Sequence, residues 1–349
     1  MEVNGYAADW WPFLSMFLLL VAIGALLWAV TLVWTAWVLH RPPRMTAGRA
    51  LARLGRATPP DVGLEVFEEE RFELANKGRT DGSTLRVSVA HGVAQVAEGP
   101  APAAHGLAPQ AELAAWWVPH PGADAVRRTC VMLHGYGDSR AGALAWAPMW
   151  QRLGFHLLLL DLRAHGDSGG RVSGGGVWER DDLHRVLDEL RRRRPIQCRQ
   201  IVLFGVSYGG MIAAACAAGR DDIAALVLDS PVEGWASATR RYAELLGLPL
   251  AHAHGLRLRL AQRRLNVRFD EGRPAVTLPE VRCPILAILP RTDVLVSPQE
   301  SEEMARLVEA KGPPSRAWCA DAMHNLALAT DSEEYERRIR EFLAEALRS

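Results

Sequence analysis

The stretch "IVLFGVSYGGMIAAACAAG" (201–219) sets one hydroxyl, Ser207, among glycines where a buried-strand-like run gives way to an alanine-rich helical one. "GVSYG" satisfies G-x-S-x-G, a weak pattern alone but a specific one between a strand and a helix. A turn that sharp forces Ser207 into a strained backbone conformation, so the neighbours two positions away must lack a Cβ. It also lifts the hydroxyl to a helix N-terminus, where developing negative charge is favoured. A helix-capping serine explains Ser207 but leaves Gly205, Gly209 and Gly210 without a purpose.

A serine hydroxyl needs a base, and the base needs an orienting acid. "LAILPRTDVLVSP" puts Asp293 just past an apolar run, and "WCADAMHNLA" puts His324 after the last strand-like run. The order Ser207, Asp293, His324 is the one this strand-turn-helix setting requires. Asp229 in "LVLDSP" is an alternative acid, since it too ends a strand. Asp293 is preferred because Asp-Ser-Pro reads comfortably as an Asx-type turn. An oxyanion hole needs two N–H donors aimed at one point. "VMLHGYGDS" offers the Tyr136 amide in a turn after a strand, and the Tyr208 amide follows the nucleophile. His134 reads as a structural turn residue, and Asp161, His165 and Gly166 in "LDLRAHGDSGG" as architecture for the site floor.

These residues need strand ends to carry them. Eight short apolar runs, "RFELAN", "LAAWWVP", "CVMLHG", "FHLLLLDL", "IVLFGVS", "ALVLDSP", "PILAILPRTD" and "SRAWCADA", alternate with helical stretches. The helical stretches are 143–152, 178–194, 208–218, 299–310 and 332–347. That rhythm predicts an α/β architecture, a mostly parallel eight-stranded sheet with helices on both faces. The four arginines at 191–194 read as a solvated helix C-terminus. Between Pro231 and Cys283 a longer interval breaks the rhythm. It reads as a small lid insertion, about 231–282, over the carboxyl edge of the sheet, although the Leu/Arg alternation at 256–260 obscures its amphipathic pattern.

The N-terminus differs in kind. From Pro12 to Leu39 no residue is charged, and at a helical rise of about 1.5 Å that run exceeds the roughly 30 Å hydrocarbon core. Trp10, Trp11, Trp34 and Trp37 stand where interfacial aromatics belong. A cleaved signal peptide fits worse, because residues 1–9 contain Glu2 and Asp9 and no base. The chain therefore divides into an N-terminal segment (1–40) with one transmembrane helix (about 12–39), a basic juxtamembrane linker (41–62) and a globular domain (63–349). Within the last, 98–109 reads as a surface loop. Arg41, Arg44, Arg49, Arg53 and Arg56 follow the span, so the positive-inside rule expects a single-pass protein with its N-terminus outside and its globular domain cytoplasmic.

The whole chain of 349 residues holds 40 Lys plus Arg and 40 Asp plus Glu, so no net field favours nucleic acid. The five cysteines (Cys130, Cys198, Cys216, Cys283, Cys319) never form a C-x-x-C pair, which argues against a disulfide framework or zinc site and for buried reduced thiols.

In this order, strand-"HGYG", strand-"DLRAHGDSGG", strand-"GVSYGG", strand-"RTDVLVSP" and "MHN" resemble the α/β-hydrolase superfamily from about Leu64 to the C-terminus. Small-lid, serine aminopeptidase-like and membrane-anchored members are similar. The resemblance implies an eight-stranded sheet, a Ser207, Asp293, His324 triad and an oxyanion hole at Tyr136 and Tyr208. "SYGG" also occurs in prolyl-oligopeptidase-type peptidases, but their propeller domain is absent here. The expected function is a membrane-anchored serine hydrolase of a carboxylic ester or thioester. Its partners are a small, lipophilic acyl substrate and membrane lipid, with no metal or organic cofactor implied. Small-peptide hydrolysis, acyl transfer, and a non-catalytic interaction module are the alternatives.

Overall fold

The computed structural model describes residues 10–38, 40–46, 63–64, 66–74, 111–122, 126–247 and 253–348. The acids and bases at Glu2, Asp9, Arg49, Arg53 and Arg56, most of the 41–62 linker, Leu39 and the 98–109 loop lie outside the described residues.

All eight predicted apolar runs overlap strands: β1 (Glu68–Leu74), β2 (Ala111–Val118), β3 (Arg128–Leu133), β4 (His156–Leu160), β5 (Gln200–Val206), β6 (Ile223–Asp229), β7 (Ile285–Pro290) and β8 (Arg316–Ala320). They form one sheet in the order β1-β2-β4-β3-β5-β6-β7-β8. β2 runs antiparallel to both β1 and β4, and the remaining neighbours are parallel.

Parallel strands are buried on both faces, which is why their sequences are apolar without alternation. Alternate side chains nevertheless feed two separate cores. Ile201, Leu203, Leu226 and Leu228 enter one, with α3 (Val177–Arg193), α4 (Tyr208–Ala218) and α7 (Pro298–Glu309). Val202, Phe204, Ala225 and Val227 enter the other, with α2 (Ala147–Arg152) and α8 (Ser332–Ala346).

The predicted helix over 143–152 is instead a 3₁₀ turn, Gly142–Ala145, followed by α2. Pro148 explains the break: it has no N–H to donate, and its ring opposes the carbonyl four residues back. The four arginines also do more than solvate a helix end. Arg193 pairs with Glu70 at 2.8 Å and Arg194 with Glu68 at 2.7 Å, and their guanidiniums lie over Phe72 and Trp117, tying edge strand β1 to α3. Cys130, Cys198, Cys216 and Cys283 are buried and unbridged, whereas Cys319 is exposed.

The N-terminal apolar run is a single helix, α1 (Trp11–Val38), exposed along most of its length and long and apolar enough to cross a membrane. Only its last turns are buried, at Leu32, Thr35 and Ala36. They pack on the 231–282 interval, which contains α5 (Trp235–Leu245) and α6 (His254–Leu265).

Candidate active site

Ser207 sits between β5 and α4 with φ 54° and ψ −115°, a conformation a side chain adopts only when its surroundings enforce it. The enforcement is visible atom by atom. A Cβ on Gly205 would lie 2.4 Å from the Gly209 carbonyl oxygen, and one on Gly209 would lie 2.5 Å from that of Leu133. The Ser207 N–H is fixed to the Asp229 carbonyl at 2.8 Å. Ser207 occupies the N-cap position of α4, yet its hydroxyl makes no capping hydrogen bond. The hydroxyl is spent elsewhere, which answers the capping question raised by its place in the sequence.

His324 Nε2 lies 2.8 Å from Ser207 Oγ, and His324 Nδ1 lies 2.6 Å from Asp293 Oδ2. Residues 207, 293 and 324 thus meet in one hydrogen-bonded chain. The other carboxylate oxygen of Asp293 accepts from the amides of Leu295 (2.7 Å) and Val296 (3.0 Å), so the turn after β7 locks its orientation. A hydroxyl, imidazole and carboxylate so ordered can pass a proton from serine to histidine while the carboxylate holds the ring and its developing charge.

Asp229 is drawn elsewhere. It is completely buried, and it accepts hydrogen bonds from Tyr335 Oη (2.6 Å) and Ser230 Oγ (2.8 Å). Burial pushes its carboxyl pKa up, against the lowering effect of those donors. Ser230 Oγ in turn accepts the Asn325 amide at 3.0 Å, so Asp229 and Ser230 brace the loop that carries His324. Ser230 (φ 50°) and Asn325 (φ 60°) both have left-handed backbones. Sequence reasoning missed these two residues. The only signal was "DSP" itself, read there as a self-contained turn.

The "HGYG" turn closes against the serine: a Cβ on Gly135 would lie 3.5 Å from that of Ser207. Tyr208 is the first residue of α4, where a helix leaves its N–H groups without intrahelical acceptors. His134 contacts the Gly135 carbonyl through Nδ1 (2.7 Å) and accepts the Leu162 amide at Nε2 (3.0 Å), so both ring nitrogens are committed to the turns. His165 is fully buried, with Nδ1 on the Arg163 carbonyl at 2.7 Å. Burial drives its pKa well below the usual value, keeping it neutral. Beneath it, the Asp161 carboxylate takes the Arg140 guanidinium at 2.5 Å and the Asp167 amide at 2.8 Å. Arg163 pairs with Asp182 at 2.7 Å, both nearly inaccessible. Removing one partner of such a buried pair costs about 3–5 kcal/mol.

An aromatic group adjoins this turn. Tyr136, Tyr208 and Trp235 have ring centroids 5.1–5.7 Å apart. Trp235 is also 5.3 Å from the ring of His40, which stacks on Phe269. The chain just after α1 therefore touches the site's surroundings: the His40 carbonyl accepts the Ser173 amide at 2.8 Å, and Ser173 Oγ lies 2.8 Å from Tyr208 Oη.

The profile of the alpha/beta hydrolase family matches residues 130–345. The chain is 27% identical over 225 residues to the uncharacterized protein YqkD of Bacillus subtilis, covering 62% of this chain and 70% of that one. It is 24% identical over 241 residues to the uncharacterized protein YfhR of Escherichia coli K12, covering 67% and 77%. Among solved structures, the Pyrococcus furiosus esterase Pf2001 superposes with a TM-score of 0.61 at 22% identity, covering 87% of this chain and 98% of that one. The hydrolase GrgF from Penicillium superposes at 0.52 and 18%, covering 67% and 94%. With its sheet order and a family match spanning well over half its length, this chain belongs to the alpha/beta hydrolase family.

Proposed function

We propose that the protein is a membrane-anchored serine hydrolase that cleaves a carboxylic ester or thioester through an acyl-enzyme on Ser207. The observation that carries this reading is the 2.8 Å contact of His324 Nε2 with Ser207 Oγ, on an imidazole held at 2.6 Å by Asp293. His324 takes the serine proton as Oγ attacks the acyl carbon, and the carbonyl π electrons move onto oxygen. The Tyr136 and Tyr208 amides stabilise that oxyanion. As the tetrahedral intermediate collapses, His324 returns the proton to the leaving alcohol or thiol. Water, activated by the same imidazole, then releases the acid. The fold neighbour named an esterase supports the ester reading.

The exposure of α1 supports an anchor, and the arginines that follow it support a cytoplasmic hydrolase domain. The 231–282 interval serves as the lid. Fluorophosphonate labelling tests the mechanism: the protein reacts, and Ser207→Ala abolishes the signal. Labelling that survives the substitution overturns it. A panel of p-nitrophenyl esters against aminoacyl amides separates ester from peptide cleavage. Protease added outside intact cells leaves the domain uncut if it is cytoplasmic.

A further inference from the structure

Helix α6 carries leucines on both sides: Leu258 and Leu265 pack, partly buried, on the core, and Leu256 and Leu260 do not. Its buried positions are His254, Arg257 and Ala261, with Arg257 only 1% exposed, while Leu256 (40%) and Leu260 (37%) face outward. A helix facing water buries its leucines and exposes its arginine. The inner face has an evident role, since Leu258, Ala261 and Leu265 pack on the core and His254 Nε2 reaches the Ala236 carbonyl at 3.0 Å, fastening α6 to α5. Leu256 and Leu260 instead stay largely open to solvent. Beside them Arg259, Arg263 and Arg264 are also exposed, so one solvent face of α6 carries both leucines and bases. The helix itself packs on the buried end of the apolar helix α1.

Leucines flanked by arginines on one face are the pattern of a helix lying in a lipid headgroup layer. The apolar side chains reach the acyl boundary, and the guanidiniums meet phosphates. Arg41, whose guanidinium lies 3.4 Å over the Trp37 ring at the end of α1, marks the level at which that headgroup layer meets the domain.

We propose that the outer face of α6 docks onto the anionic surface of the same bilayer that α1 enters, holding the lid flat against the membrane. The inference rests on the anchor reading of α1 but not on the serine chemistry. It deepens the function by making the site's substrate an acyl ester presented by that bilayer.

The test uses the full chain in vesicles of phosphatidylcholine containing phosphatidylglycerol, in a Cys319→Ser background so that no native exposed thiol is labelled. A polarity-sensitive fluorophore is attached through L260C, and through I196C as a control at the opposite edge of the sheet. Fluorescence from position 260 is expected to be quenched by brominated lipid severalfold more than that from 196, and R259Q/R263Q/R264Q is expected to reduce the difference. Equal quenching at both positions overturns the docking. So does a signal that follows protein density instead of brominated lipid, which would assign the face to a second copy of the chain. L256E/L260E is expected to lower turnover of a vesicle-embedded ester severalfold while leaving p-nitrophenyl acetate hydrolysis unchanged, and equal turnover of the embedded ester overturns the substrate part. Absence of p-nitrophenyl acetate hydrolysis by the parent chain counts against the serine-hydrolase reading alone. Release of the chain by alkaline carbonate counts against the anchor, and with it the docking.

Discussion

Tyr335 donates its hydroxyl proton to Asp229 Oδ2 across 2.6 Å, joining the last helix of the fold to the carboxyl end of β6. That bond engages one oxygen of the second carboxylate near His324, and Ser230 engages the other. Two acids thus stand near one imidazole with different surroundings, and only Asp293 touches it. Asp293→Asn is expected to lower turnover by on the order of 10⁴, because the amide leaves the imidazole in the wrong tautomer. Asp229→Asn is expected to act mainly on stability, by about 1–3 kcal/mol, through weakened buried hydrogen bonds. Ester turnover and thermal unfolding of both variants check this. A loss of activity at Asp229 matching that at Asp293 would reverse the assignment.

The conformation of Ser207 predicts a trade of stability against activity. At φ 54° and ψ −115° any residue with a Cβ is strained, and glycine is not. Ser207→Gly is therefore expected to raise stability by about 1 kcal/mol while abolishing turnover. Ser207→Ala should abolish turnover without that gain. Unfolding of the two variants side by side separates strain from the loss of the hydroxyl.

Gly209 tests the elbow from its other side. Its missing Cβ would fall 2.5 Å from the Leu133 oxygen and 2.6 Å from the His134 oxygen, both backbone atoms at the start of the "HGYG" turn. Gly209→Ala must push β3 and α4 apart, at a cost of about 1–3 kcal/mol or more. Because the displaced atoms adjoin Tyr136, turnover should fall even in protein that remains folded. Gly247→Ala, whose Cβ position is unobstructed but whose φ is a left-handed 62°, is the control for strain without collision. It should leave turnover unchanged.

What was legible in the sequence follows from what local chemistry dictates. Strands buried on both faces must be apolar throughout, so the interior strands β3 to β7 left readable runs, whereas the edge strands β1 and β8 are partly exposed and carry charged residues. The elbow was readable because its sterics demand glycine at fixed offsets from Ser207. The bracing of His324 by Ser230 was not, because that contact spans 95 positions and depends on a left-handed serine that no local pattern requires. Helix α6 was obscure for a related reason. Its buried Arg257 and outward Leu256 and Leu260, set beside core-packed Leu258 and Leu265, blur the pattern by which amphipathic helices are recognised. Nor could spacing show that His40, just past an apolar helix, would stack against Phe269 in the 231–282 interval.

That stacking gives His40 a pH signature. Burial lowers its pKa from 6.5 to about 4, so the folded chain keeps the ring neutral where the unfolded chain protonates it. Between those two values the unfolded state binds more protons, so stability rises with pH and is lost as pH falls from 6.5 toward 4. At about 1.36 kcal/mol per unit, the full contribution is on the order of 3 kcal/mol. His156, His165 and His254 are shifted in the same direction, so the effect of His40 must be read as a difference. His40→Gln removes the titrating group while retaining a planar polar side chain. Thermal unfolding of both proteins at neutral pH and again near pH 4 should show the variant losing less stability on acidification. Identical losses would mean that His40 titrates alike in the folded and unfolded chains. The contact with Phe269 would then be open to water, at the point where the chain after α1 meets the aromatic surroundings of Ser207.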